Sequence, residues 1–289
     1  MENLGVCRTT LWRKFLPFFR YWVSPEEINR LFPVNGGFAS KNWVLGLDGK
    51  WLHKFGVVMI YRDTTSGVNL FWSWQKSESY QNLLENFKGL FSLAEKNLPS
   101  GVISDWKGAI VALVSAFFPN KPHQRCLAHL VREAKKLLPA GSPFFFTWIL
   151  REIAREIITI SDPSDYYDWS VKLSVWERNY GFLLKEKTLG KGTKKKWWYT
   201  HGNLRRGVKL LTKNQESLFW YLHHPFLPKT NNSLEGVNSQ LKGKLAAHRG
   251  MKPEQQISFC FWHLAFSRIK NKKDLKILWG RVKKRIPAV

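Results

Sequence analysis

Two aspartates close short apolar runs. They are Asp48 in Val44-Leu45-Gly46-Leu47-Asp48-Gly49-Lys50-Trp51 and Asp105 in Val102-Ile103-Ser104-Asp105-Trp106. Taken singly, each reads as an ordinary strand-to-turn Asp. A third acid, Glu235, stands in Lys229-Thr230-Asn231-Asn232-Ser233-Leu234-Glu235-Gly236-Val237-Asn238. There Thr230 or Asn232 can cap a helix whose first turn presents the carboxylate on the side away from Leu234 and Val237. A first-turn Glu that only complements the helix dipole has the same local signature. As a set, three hard oxygen donors suit a pair of divalent cations. Mg²⁺ takes one or two carboxylates per ion and keeps its waters, so three acids hold two ions when one bridges. A pair of Mg²⁺ or Mn²⁺ ions makes a water or a 3′-hydroxyl nucleophilic and stabilises the leaving oxygen of a phosphodiester. Asp48 is assigned as the bridging ligand, with Asp105 and Glu235 completing one ion each.

Cys126 and His129 form a Cys-x-x-His pair, but two ligands fall short of the four that structural zinc needs. Cys126 is expected to be buried, and His129 to lie at the edge of the site, near a substrate phosphate or a catalytic acid. His123, His201, His223 and His224 are expected at the surface or in capping roles. Basic residues near these motifs are candidates for phosphate contacts: Arg125, Arg132, Lys229, Lys242, Lys244, His248 and Arg249, with the amides Asn231 and Asn232. A further basic run, Lys194, Lys195 and Lys196 before Trp197 and Trp198, reads as a solvated loop or as an aromatic wedge for distorted DNA.

The elements that must position these groups follow from hydrophobic periodicity. Trp43 to Asp48, Phe55 to Arg62 and Val68 to Gln75 are apolar stretches rich in Val, Ile and aromatics that read as strands, and the breaks at Gly49-Lys50 and Thr64 to Gly67 suit an antiparallel meander. Tyr80 to Asn97 has helical spacing, Val102 to Asp105 is a short buried strand, Lys107 to Phe118 a helix, His123 to His129 a strand and Leu130 to Leu138 a basic helix. This order, βββαβαβα, predicts an α/β sheet of three antiparallel strands followed by parallel strands, with helices on both faces. We divide the chain into a basic helical N-terminal segment at 1–39, the first part of a catalytic domain at 40–138, an all-α insertion at 139–228, the last part of the catalytic domain at 229–270 and a basic C-terminal tail at 271–289. In the N-terminal segment, Ser24-Pro25-Glu26-Glu27 reads as a helix cap with Pro at the first position. Thr9 to Lys14 reads either as the end of a recognition helix or as a packing helix.

Lys and Arg number 46 against 21 Asp and Glu in 289 residues, a formal charge of +25. Such an excess repels itself unless a polyanion is near, which points to nucleic acid and away from a small-molecule substrate. Apolar residues make up 44%, enough for a large core, which excludes a disordered chain. The longest apolar run, Ala109 to Phe118, is about half of the roughly 18 residues that a membrane span requires. Three well-separated cysteines make no disulfide framework, in keeping with a reducing, cytoplasmic compartment.

Together, Leu-Asp-Gly-Lys-Trp-Leu around Asp48, Ser104-Asp105, Gln124-Arg125-Cys126-Leu127-Ala128-His129 and Thr-Asn-Asn-x-x-Glu-Gly-x-Asn around Glu235 resemble the bacterial insertion-sequence transposases related to the Mutator elements. The resemblance spans roughly residues 40 to 270. It implies a ribonuclease H-like fold with a helical insertion, and a DDE triad of Asp48, Asp105 and Glu235. It also implies cleavage and strand transfer at the ends of a DNA element, two Mg²⁺ or Mn²⁺ ions, double-stranded DNA as partner, a homodimer that handles two ends, and a nucleoid-associated location. A nuclease that cuts without joining and a non-catalytic DNA-binding remnant are the alternatives. Two departures stand out: Trp106 follows the second Asp where the family often has Gly, and the upstream DNA-binding region is largely missing from the pattern.

Overall fold

A computed structural model of the chain describes residues 7–33, 42–94, 97–190, 196–248 and 250–284. In chain order its elements are α1 (Arg8–Arg20), α2 (Pro25–Leu31), β1 (Val44–Trp51), β2 (Val57–Asp63), β3 (Val68–Gln75), α3 (Tyr80–Ala94), β4 (Gly101–Ser104) and α4 (Gly108–Phe117). Next come β5 (His123–Arg125), α5 (Leu127–Leu137), α6 (Phe145–Glu156), α7 (Pro163–Tyr180), β6 (Lys187–Leu189), β7 (Trp197–Tyr199), α8 (Gly202–Thr212) and α9 (Glu216–His223). The chain closes with α10 (Asn232–Ala247), α11 (Pro253–Phe266) and α12 (Lys272–Lys283). These elements form two units: Met1–Lys121 with Asn232–Val289, and Pro122–Asn231.

The first unit is a mixed α/β layer structure. Its strands run in the order β3-β2-β1-β4, antiparallel from β3 to β1 and parallel from β1 to β4. Alternation along β2 explains the layering. Val57, Met59 and Tyr61 enter a core with Leu83, Phe87 and Leu90 of α3 and Ile110 and Leu113 of α4. Val58 and Ile60 enter a second core on the opposite face, with Leu234 and Leu241 of α10 and Cys260, Phe261 and Leu264 of α11. Helices therefore cover both faces, as expected. At the N-terminal edge, Ser24 caps α2 by accepting from the Glu27 backbone N–H at 3.2 Å, the cap read from the sequence. The end of α1 is held against α11, whose Trp262 indole donates to the Phe18 and Tyr21 carbonyls at 2.8 and 2.9 Å.

One expected break is absent. β1 runs through Gly49-Lys50 to Trp51, where it pairs with Val57, so Asp48 lies inside a strand. The reversal comes later, at Leu52 to Gly56, where Gly56 has a φ of 123° and its missing side chain leaves room for the Gln75 carbonyl. The segment expected as a tail contains α12, capped by Asn271, which accepts from the N–H groups of Lys273 and Asp274 at 2.9 and 3.0 Å.

The second unit is mainly helical, built on a core of Leu127, Leu130, Leu150, Ile153, Trp169, Trp176, Leu204, Leu211 and Leu218. It begins at Pro122 and takes in β5 and α5, whereas the sequence reading started the helical insertion at 139. The two ends of the basic stretch after Lys185 pair as antiparallel strands, β6 with β7, and the Lys187 ammonium lies 4.1 Å from the Trp197 ring centre.

Phe87 is fully buried on α3, with its ring 5.9 Å from that of Tyr61. Phe87→Ala is expected to destabilise the first unit by about 3–5 kcal/mol, and Phe87→Leu by less than half of that, as read by urea denaturation. Equal losses in the two variants would mean that the cavity is not the cause.

Candidate active site at one edge of the sheet

Three strands of the first unit share a direction, because β1 and β3 both oppose β2 and β4 runs parallel to β1. Their C-terminal ends therefore meet at one edge of the sheet. The β1–β4 register pairs Val44 with Gly101, Leu45 with Val102 and Gly46 with Ile103. Asp48 follows the paired Gly46 by two residues, and Asp105 follows its partner Ile103 by two, just past the end of β4. Asp48 lies on the α10 side of the sheet, since Leu45 and Leu47 point into the opposite core and its carboxylate meets Asn238.

Asp48 is 8% exposed; its Oδ1 accepts from the Gly49 N–H and its Oδ2 from the Asn238 side-chain amide, both at 2.8 Å. The second bond joins strand to helix, because Asn238 lies on α10. Glu235 stands three residues earlier on that helix, partly buried in its first turn, and so on the same face as Asn238. The carboxylate oxygens of Asp48, Asp105 and Glu235 do not all come within 4.8 Å of one another. The start of α10 is anchored at its side, where Arg62 donates to Ser233 Oγ at 2.7 Å.

Asp105 has a side chain 11% exposed, and its Oδ2 pairs with Lys107 Nζ at 3.1 Å. The same ammonium contacts the Glu78 carboxylate, which is 6% exposed. Burial by itself would lower the Lys107 pKa, but Asp105 and Glu78 raise it, and the net shift is upward. Trp106, between Asp105 and Lys107, has a φ of 68°, the left-handed region that glycine enters freely and tryptophan rarely. The backbone at Trp106 thus has a shape that suits glycine. Lys50, two residues past Asp48, has its pKa lowered by burial, with a smaller contribution from Lys242 of α10. These two lysines place positive charge beside the aspartates.

Glu78 was not singled out in the sequence. It falls in Lys76-Ser77-Glu78-Ser79, a polar link between β3 and α3, with no apolar pattern around it. The available signal was topological: a residue just past the third strand of a βββαβ run reaches the same sheet edge as Asp48 and Asp105.

Other candidates divide by exposure. Lys242 and Lys244 of α10 and His248 just past it are exposed, as are Asn232, Arg132 and Lys196. Arg249, Lys194 and Lys195 lie outside the described residues. Within the second unit, Arg125 is 8% exposed and donates to Glu133 at 3.2 Å, so its charge is engaged inside that unit. Lys229 donates to the Ile160 carbonyl at 3.3 Å. Cys126 is buried at the start of α5, as expected, and accepts from the N–H of the fully buried Asn231 at 3.3 Å. His129 is half-buried in the first turn of α5. His201 precedes α8, in contact with Glu186 at 3.1 Å.

Compared with known proteins, the sequence matches no family model and no curated protein.

His123 corrects an expectation, for it is buried in β5 and not at the surface. Burial disfavours the charged ring and takes the pKa from 6.5 down to about 3. As pH falls, the unfolded chain therefore gains this proton first. Stability from the neutral ring is complete above pH 6.5 and declines toward pH 3, by at most about 1.4 kcal/mol per pH unit. His123→Gln is expected to flatten this acid slope in urea midpoints measured from pH 7 to pH 4. A slope equal to that of the parent chain would exclude the imidazole as its source.

Proposed function

We propose that this chain is a metal-dependent DNA strand-transfer enzyme, a DDE transposase built on a ribonuclease H-like sheet. The observation that carries the reading is the parallel pairing of β1 with β4, which brings the segments that carry Asp48 and Asp105 to the same edge of the sheet. The donor set fits hard divalent ions. Asp48, Glu78 and Asp105 are largely buried carboxylates, the hard oxygen donors that such ions take. Asp48, Asp105 and Glu235 would hold two Mg²⁺ or Mn²⁺ ions, whose chemistry is Lewis-acid stabilisation of the attacking and leaving oxygens.

The chain's own groups have distinct tasks in this reading. The Asn238 amide fixes the Asp48 carboxylate against rotation, leaving its orientation set before substrate arrives. Glu235, on the same helix face as Asn238, would complete the ligand set. Lys50 and Lys242 offer positive charge to a phosphate beside Asp48. Lys244 continues that charge along α10, and the overall charge of +25 supports a DNA partner. Pairing two element ends would call for two copies of the chain. Among the described residues no helix is long and apolar enough to cross a membrane.

Asp48→Asn and Asp105→Asn are each expected to reduce Mn²⁺-dependent nicking of DNA by about a hundredfold or more, with DNA binding within a few fold of the parent. Asn238→Ala should give a smaller loss, about 10–100-fold. Full activity in Glu235→Ala would remove Glu235 from the ligand set. A donor end with a free 3′-hydroxyl, supplied with target DNA, is expected to yield joined product; cleavage without joining would make the protein a nuclease.

A further inference from the structure

The β6–β7 ribbon of the second unit presents two tryptophans that the core of that unit does not use. Its register pairs Lys187 with Tyr199, Thr188 with Trp198 and Leu189 with Trp197. Side chains alternate along a strand, so Lys187, Leu189, Trp197 and Tyr199 share one face, and Trp198 stands on the other with Thr188. On the first face the rings are occupied. The Lys187 ammonium lies 4.1 Å from the Trp197 ring centre, Tyr199 meets Trp197 edge-on at 5.3 Å, and the Arg205 guanidinium of α8 lies 4.0 Å from the Tyr199 ring centre. On the second face the neighbours are short, Thr188 and Thr200, whose hydroxyls meet at 2.9 Å. Trp198 is 43% exposed, and among the described residues no other ring or cation is stacked on it.

The charge around this ring selects its ligand. Lys185, Lys187, Lys196, Arg205 and Arg206 are exposed. Glu186 is the only acid in the sequence from Gly181 to Thr212, and it contacts His201 at 3.1 Å. A second copy of the chain meeting this surface symmetrically would bring the same cations to the same ring, and like charges oppose that contact. A nucleic-acid strand brings phosphates to the cations and flat bases to the ring. In a duplex the base faces are stacked inside, so the ring calls for an unpaired base. We propose that Trp198 is a stacking platform for an unpaired base of a DNA strand, with Lys196, two residues before it, meeting a phosphate of the same strand. The inference rests on the reading of the chain as a DNA enzyme and names an unpaired stretch as what this surface takes. The occupied face supports the other: the ladder of Lys187, Trp197, Tyr199 and Arg205 stiffens two strands of three residues each, too short to hold a ring in place by backbone pairing alone.

The test uses the full chain with fluorescein-labelled oligonucleotides of one sequence, single-stranded and duplex, followed by fluorescence anisotropy. Trp198→Ala is expected to weaken single-strand binding about tenfold or more and to leave duplex binding within about twofold, because stacking is lost while the cations remain. Trp198→Phe, which keeps a flat ring, is expected to stay within about threefold of the parent on the single strand. An equal loss on both DNAs, parent-like single-strand binding in Trp198→Ala, or a parent chain that takes the duplex alone would overturn the inference while leaving DNA binding in place. Binding of neither DNA by the parent would overturn the DNA reading and this inference with it. A parent dimer that Trp198→Ala dissociates in sedimentation, with single-strand affinity unchanged, would assign the ring to a second copy instead. If Trp198→Ala does not fold, as judged by circular dichroism, Trp198→Leu decides: it keeps apolar bulk without a flat ring, and parent-like single-strand binding there overturns the inference.

Discussion

The hydrogen-bonded register between β1 and β4 is the constraint on which the site depends. In a sheet with period 2, a slip of one residue would send Asp48 into the core with Leu45 and Leu47 and turn the site inside out. Burial on both faces forbids that slip, because every residue from Val44 to Asp48 is buried. The same register ends β4 at Ser104, so the chain turns away just where Asp105 arrives, while β1 continues beside β2 alone to Trp51. That difference in length opens the sheet edge at the level of the two aspartates.

Charge at that edge is managed by neighbours from separate elements. The Asn238 amide, offered by α10, reaches Asp48, and Lys107, offered by the start of α4's approach, lies between Asp105 and Glu78. Each neighbour lowers the energy of an acid that burial alone would make unfavourable. The left-handed backbone at Trp106 is part of the same turn. An uncommon conformation held beside charged groups is the kind of local strain that accompanies functional sites, with rigid strands on either side to sustain it.

The second unit shows a different use of polar residues. Gln124 donates to the Arg125 and Leu218 carbonyls at 2.8 and 2.9 Å and accepts from the Tyr221 N–H, so a buried amide joins β5 to α9. Arg125 and His123, its neighbours in β5, are buried as well. The basic residues of this unit are therefore of two kinds, those engaged inside and those, such as Arg132 and Lys196, that face solvent. Only the exposed kind adds to the field that a polyanion would meet.

Periodicity in the sequence was sufficient for the strands β1 to β4, the helices that cover them, the Ser24 cap and the antiparallel-then-parallel order, because each of these depends on neighbours a few residues apart. It also singled out Asp48 and Asp105, whose apolar runs mark buried strands. The tertiary structure alone decided the rest. It carried β1 past Gly49, since pairing with β2 outweighs the turn preference of a Gly-Lys step, and it buried His123 and Arg125, whose polar types suggested the surface. It brought Glu78 to Gly49 and joined it to Asp105 through Lys107. Those meetings depend on strand direction and on pairing between residues far apart in the chain, and no local pattern of residue types encodes them.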